Sequence, residues 1–226
     1  MSGTKEEGAG RKARGEETRA TLIEVGSRLF AKKGYDGVSM RTLAAAAGVN
    51  LATVSYHFGG KPGLYQAIIE QIITVRDEIF PRAEDVRARL EAAGDDIRAK
   101  GAVTDWFVGK LVHEMLGHSE YDWAAFLVSR ELAQPSHCYH MLVENIFNPS
   151  FTALCVLVSG IVGDTTHEDT VLTAHCIIAV ITHMLEAHII INQRLGWKEF
   201  PEHLDRLDAI IRKRIRGLLG LPMEDA

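Results

Sequence analysis

Cysteine is scarce in this 226-residue chain. The three present, Cys138, Cys155 and Cys176, are odd in number and show no CxxC spacing. That excludes a disulfide framework and a thiolate zinc site, and they read as small buried hydrophobes. Long apolar runs are lacking too. The longest uncharged apolar stretch, residues 151–163, is shorter than the roughly 18 residues that cross a bilayer. The richer run over 171–191 is broken by His175, His183, Glu186 and His188. No membrane-spanning helix is expected. The first twenty residues mix both signs of charge without an apolar core, so they do not read as a secretory signal, and a cytoplasmic location follows as an expectation. There is no GxSxG, GxGxxG or GxxxxGK, which removes acyl transfer and nucleotide chemistry. The chain reads as a non-enzyme that needs no cofactor.

What is present suffices for a real core: 46% of residues are hydrophobic and 24% charged, in the range of one large or two modest domains. The net charge of −5 is unevenly spread. Residues 1–66 hold 10 Lys/Arg against 6 Asp/Glu, whereas the rest hold 15 against 24. A basic front on an acidic body suggests that only the front meets a polyanion.

Ten histidines call for a metal test. In His113-Glu114-Met115-Leu116-Gly117-His118 the second histidine is five residues on rather than four, about 140° around a helix, so the pair cannot chelate from one face. His175 and His183 are about 80° apart, also poor geometry. His137 and His140, at i and i+3, share a face. Satisfied core or pocket histidines are expected, and no metal site is assigned.

From Thr18 to Lys33, Leu22, Val25, Leu29 and Phe30 form an amphipathic helical stripe stopped by Gly34. Residues 1–15 read as a flexible basic arm before it. Ser39 suits the N-cap of a short helix through Ala47, with Thr42 at N3 and Gly48 at the left-handed exit. Asn50 caps a further helix, Leu51 to His57. Gly59-Gly60 ends it, and a fourth helix runs from Gly63 to Phe80 behind Lys61-Pro62. Two short helices joined by Ala-Gly-Val-Asn make a helix-turn-helix pattern over 39–58.

The second of these helices carries small and hydrogen-bonding residues that suit base edges: Asn50, Ala52, Thr53, Ser55, Tyr56 and His57, with Ala52 and Thr53 able to approach a thymine methyl. Arg41, Lys61 and the capped amides at Ser39 and Asn50 are the phosphate candidates, with Thr42 beside them. Spacing alone leaves open an ordinary helical hairpin with a wet polar face.

The run from Thr18 to Ile69, including LFAKKGYDGVSMRTLAAAAGVN and YHFGGKPGLY, resembles the N-terminal domain of the TetR family of bacterial transcriptional regulators. In that pattern Phe30, Gly34 and Tyr35 close the first helix, and Arg41 and Thr42 open the second. The third carries the DNA contacts and ends at His57-Phe58, before the lysine matched by Lys61. The resemblance implies an all-α fold: a helix-turn-helix domain over 16–76, and a larger helical ligand-binding and dimerisation domain over 77–226. Many members have glycine and tyrosine where this chain has Ala52 and Ser55, and here tyrosine comes one place later, as Tyr56.

Beyond Phe80 the expected helices are 84–93, 95–116, 121–132, 136–162 with a kink near Pro149, 168–195 and 201–219. SRELAQPS and RLGW are similar to the YbiH-like subgroup of the same family, implying a sensing and dimerising body. Trp106, Phe107, His113, Met115, Trp123, Phe126, His137, His140, Met141 and His175 are the pocket candidates: apolar walls with a few polar groups suit a mainly apolar or aromatic effector. Plain core packing is the equal alternative for them. His175, Thr182, Glu186 and Gln193 make a polar stripe that faces either solvent or a cavity. The last two long helices present Ile177, Ile181, Met184, Leu185, Ile189, Leu204, Leu207, Ile211, Ile215 and Leu218 as the expected homodimer surface. The expectation is therefore a homodimeric repressor, released from double-stranded operator DNA by a small molecule. The alternative is a helical small-molecule or metal-binding protein with no DNA role.

Overall fold

The computed structural model describes residues 3–117 and 122–223, and among these there is no strand. The helices, in chain order, are α1 (Gly3–Lys33), α2 (Met40–Ala46), α3 (Leu51–Phe58), α4 (Lys61–Thr74), α5 (Arg76–Ile79), α6 (Ala83–Ala93) and α7 (Ile97–Leu116). They continue with α8 (Asp122–Ala133), α9 (Tyr139–Leu142), a π turn at Val143–Phe147, α10 (Asn148–Val162), α11 (His167–Glu186) and α12 (His188–Leu195). A 3-10 turn at Pro201–His203 then leads into α13 (Leu204–Leu218).

The chain divides into two compact units. One joins Met1–Thr74 with Trp123–Leu142; the other joins Val75–Asp122 with Val143–Ala226. The first unit leaves the chain at Thr74 and takes up Trp123–Leu142, which packs with the N-terminal helices rather than with its sequence neighbours. Several element boundaries also differ. Most of the arm expected to be flexible belongs to α1; this stretch is free of proline and holds Lys, Glu, Arg and Ala, which favour a helix, against four glycines, which do not. The expected helix 63–80 breaks at Val75. There the β-branched run Ile72-Ile73-Thr74-Val75 weakens the helix, and the Thr74 hydroxyl donates to the Gln71 carbonyl. The expected helix 168–195 breaks at Ala187, where the His188 ring lies 2.7 Å from the carbonyl oxygen of Leu185. Gln193 thus leaves the polar stripe for α12, while His175 and Glu186 stay exposed on α11. The kink expected at Pro149 is the π turn before α10. Proline in the first turn of α10 has no N–H to continue the preceding ladder.

The core of the N-terminal unit comes from α1 to α4 (Leu22, Phe30, Leu43, Val54, Leu64, Ile68, Ile69), completed by Leu127 and Leu142 of α8 and α9. In the second unit, Val86, Phe107, Leu111, Leu154, Leu157, Ile177, Ile181, Ile211 and Ile215 are buried. This corrects part of the expected dimer surface. Ile177, Ile181, Leu185, Leu207, Ile211 and Ile215 are interior residues of one chain, whereas Ile189 and Leu218 are exposed. A buried arginine pins α13 to α7: Arg216 Nε donates to Asp105 Oδ1 at 2.8 Å, Nη2 reaches Oδ2, and Nη1 donates to the Pro222 carbonyl.

Two helical stretches, Tyr139–Val162 and His167–Glu186, are long and apolar enough to cross a membrane by length and composition. The first is interrupted by the π turn, and each buries part of its surface in a core.

Candidate nucleic-acid interface

The helix-turn-helix is built by its caps. Ser39, in extended backbone, accepts a hydrogen bond from the Thr42 amide through Oγ at 3.1 Å, and the two hydroxyls lie 2.8 Å apart. Asn50 Oδ1 accepts from the Thr53 amide at 2.8 Å and from the Thr53 hydroxyl at 2.9 Å. Four of the ten expected contact residues therefore hold helix starts, with the Thr42 and Thr53 amides taken up by the caps. Between the helices Gly48 takes φ +66, where a side chain would be strained. At the exit of α3, a Cβ on Gly63 would meet the Phe58 carbonyl oxygen at 1.9 Å, so only glycine permits this entry into α4.

Leu43, Ala44 and Val54 turn inward, which leaves one face of α3 to solvent. Ala52, Ser55 and Tyr56 are exposed, with Tyr56 at 85%, and Thr53 and His57 are half-buried. The Tyr56 and His57 rings meet edge to face at 5.2 Å. Leu51, exposed beside Ala52, is an addition that its apolar character hid from sequence reasoning. Arg41 is exposed on α2. Arg19, whose guanidinium lies over the Phe58 ring at 5.1 Å, is a second cation close to α3 that the motif did not indicate.

Lys61 is engaged within the N-terminal unit. Its Nζ donates to the Tyr35 carbonyl at 2.9 Å and lies over the Tyr35 ring at 4.1 Å, so reaching a phosphate would first give up those contacts. Tyr35 in turn packs edge to face on Tyr65 and on His137.

The ten pocket candidates do not come together within either unit. Trp123, Phe126, His137, His140 and Met141 belong to the unit with the reading helices, and Trp106, Phe107, His113, Met115 and His175 to the other. Phe107 is wholly interior. Trp106 carries the Arg89 guanidinium over its ring at 4.0 Å. His113 Nε2 is 3.9 Å from Asp208 Oδ2, on the ion-paired seam between α7 and α13. His175 packs on Phe151 at 4.1 Å. His118, the second histidine of the zincin-like spacing, lies outside the described residues. Among the described residues no three metal-ligating side chains gather.

Residues 22–68 match the family described as bacterial regulatory proteins, tetR family. Residues 105–221, half of the chain, match the C-terminal domain of the HTH-type transcriptional dual regulator CecR. The chain belongs to the TetR family of transcriptional regulators. It carries a CecR-type C-terminal domain, and it is a DNA-binding regulator rather than an enzyme. It is 28% identical over 196 residues to the dual regulator CecR of Shigella flexneri, covering 86% of this chain and 87% of that one. It is 41% identical over 54 residues to the probable regulator YttP of Bacillus subtilis, 24% of this chain and 26% of that one. A TetR-like regulator from Rhodococcus sp. RHA1 shares the fold with a TM-score of 0.56 at 17% identity, over 90% of this chain and 96% of that chain. TetR-family regulators bind operator DNA and act as dimers.

Proposed function

We propose that this TetR-family regulator is a repressor whose homodimer reads operator DNA with the α3 face of each copy and lets go when a small molecule binds its helical body. The observation that carries the reading is the exposed Ala52-Ser55-Tyr56 face, oriented by the Ser39 and Asn50 caps. Such a face offers two hydroxyls and a methyl to a major groove, while the α2 and α3 amides and Arg41 meet phosphates. The working place is the cytoplasm, with its DNA.

The dimer surface we propose lies on α12 and α13, where Ile189, Ile190, Leu195, Ile210 and Leu218 are exposed. Apolar side chains in that number call for cover. The effector is mainly apolar or aromatic, and its binding favours the conformation that does not hold DNA; equal affinity for both conformations would shift nothing. Selection of genomic fragments on the immobilised protein at low salt, followed by mobility shift, tests the DNA reading. Retention of one sequence class that competitor DNA does not displace supports it; no fragment retained at any salt overturns it.

A further inference from the structure

The first turn of α3 is the part of a reading helix that comes nearest to base edges, and its polar groups are largely engaged already. Asn50 Oδ1 accepts from the Thr53 amide at 2.8 Å and from the Thr53 hydroxyl at 2.9 Å. With that oxygen committed to the cap, Asn50 cannot make the bidentate contact by which asparagine reads adenine, and the Thr53 hydroxyl has no hydrogen left to donate. Val54, the next residue, is wholly interior. What the turn shows to solvent is Leu51, 46% exposed, and Ala52. Neither side chain has a donor or an acceptor.

Residues four apart on an α-helix share a face, about 40° from one another. Leu51 is thus paired with Ser55, and Ala52 with Tyr56, all four exposed. The face is polar at its C-terminal end, where Ser55 and Tyr56 carry hydroxyls, and apolar at the end that leads into the groove. Exposed leucines scattered over a surface are ordinary. A leucine at this place meets a narrower choice, because base edges in the major groove carry hydrogen-bonding groups and one apolar group, the C5 methyl of thymine. A base donor or acceptor covered by Leu51 would lose its water and gain no partner, whereas a methyl covered by Leu51 buries apolar surface on both sides.

We infer that Leu51, supported by Ala52, determines specificity by reading the C5 methyl of a thymine in each operator half-site. This role rests on the DNA reading above and narrows it to one base feature. The contact recognises the methyl alone, since Leu51 forms no hydrogen bond with the rest of the base edge.

The test uses the full chain and a DNA fragment retained in the selection, followed by fluorescence anisotropy. Each thymine of a half-site is replaced in turn by deoxyuridine, which removes the methyl and leaves base pairing intact, with the matching change made in the other half-site. At one position affinity is expected to fall about fourfold for each methyl removed, and so roughly sixteenfold for the pair. In Leu51→Ala the same replacement is expected to change affinity by less than about twofold, while Leu51→Met, equally apolar and of similar length, keeps most of the ratio. Arg41→Ala, whose loss falls on every sequence, is expected to keep it whole. The series on the parent protein needs no variant, so the inference stays open to refutation even where a substitution disturbs α3. Thymine and deoxyuridine bound alike at every position, or a ratio that Leu51→Ala leaves unchanged, would overturn it. Sequence-selective binding without any methyl effect removes only this role of Leu51; failure to retain DNA at low salt removes the regulator reading as well.

Discussion

The Tyr65 phenol donates a hydrogen bond to Oε1 of Glu131 at 2.5 Å, joining α4 to α8 through two buried side chains. The other carboxylate oxygen accepts from the Ser136 amide at 3.1 Å. Burial first, and then Glu131, push the Tyr65 phenol well above the usual range, so it remains the donor. Tyr65→Phe leaves a buried carboxylate short of one donor and should cost about 1–3 kcal/mol of stability. Urea denaturation followed by circular dichroism measures it; a midpoint unchanged from the parent protein would mean that the bond contributes nothing.

Cys138 donates its amide to the hydroxyl of Ser136, whose own amide donates to the same carboxylate. Burial, with lesser contributions from Glu131 and Glu70, pushes its thiol up to about 11. A group whose pKa is raised on folding stabilises the fold below its ordinary pKa and loses that contribution as pH climbs through the folded value. The N-terminal unit should therefore lose stability between the ordinary thiol range and pH 11, and less so in Cys138→Ala. Thermal melts across alkaline pH check this, with equal slopes for the two proteins as the contrary result. Cys138 should also resist iodoacetamide at neutral pH in the native protein.

In the second unit, Arg216→Met strands Asp105 without its bidentate partner. Removing one member of a buried pair typically costs about 3–5 kcal/mol, and the partial exposure of Asp105 places the expectation at the lower end. Loss of the thermal transition, or a large drop in its midpoint, is the expected result; a change within error would show that the pair does not hold α13 to α7.

The cap residues were legible in sequence because Ser39 and Asn50 act locally, on amides three residues away. The breaks at Val75 and Ala187 were not, since neither place has a proline or glycine, and the weakening comes from β-branched runs and side chains that compete for backbone carbonyls. The contacts of Lys61 and His113 were not legible for a different reason. A charged or polar side chain matching a motif says nothing about an internal partner 26 or 95 residues away, and both found one. Composition could not reveal that Trp123–Leu142 leaves its sequence neighbours, which divides the ten pocket candidates between the two units.

That lesson changes the dimer test. Charge at Ile181 or Ile211 strikes the interior of one chain and should unfold it. Ile189→Asp and Leu218→Asp alter exposed positions and should yield folded monomers if α12 and α13 form the interface. Light scattering beside circular dichroism separates the cases; folded dimers from both exposed variants would move the interface elsewhere.

The central claim is that the exposed face of α3 reads operator DNA. Its most direct measurement is fluorescence anisotropy of a selected operator fragment across salt concentration, for the parent protein, Arg41→Ala and Tyr56→Ala. The predicted result is a log-log salt slope of about −0.9 per phosphate contact, made shallower by Arg41→Ala on every sequence, whereas Tyr56→Ala chiefly erases discrimination between operator and scrambled DNA. Operator and scrambled DNA bound alike by the parent protein, or discrimination unchanged in Tyr56→Ala, would contradict it.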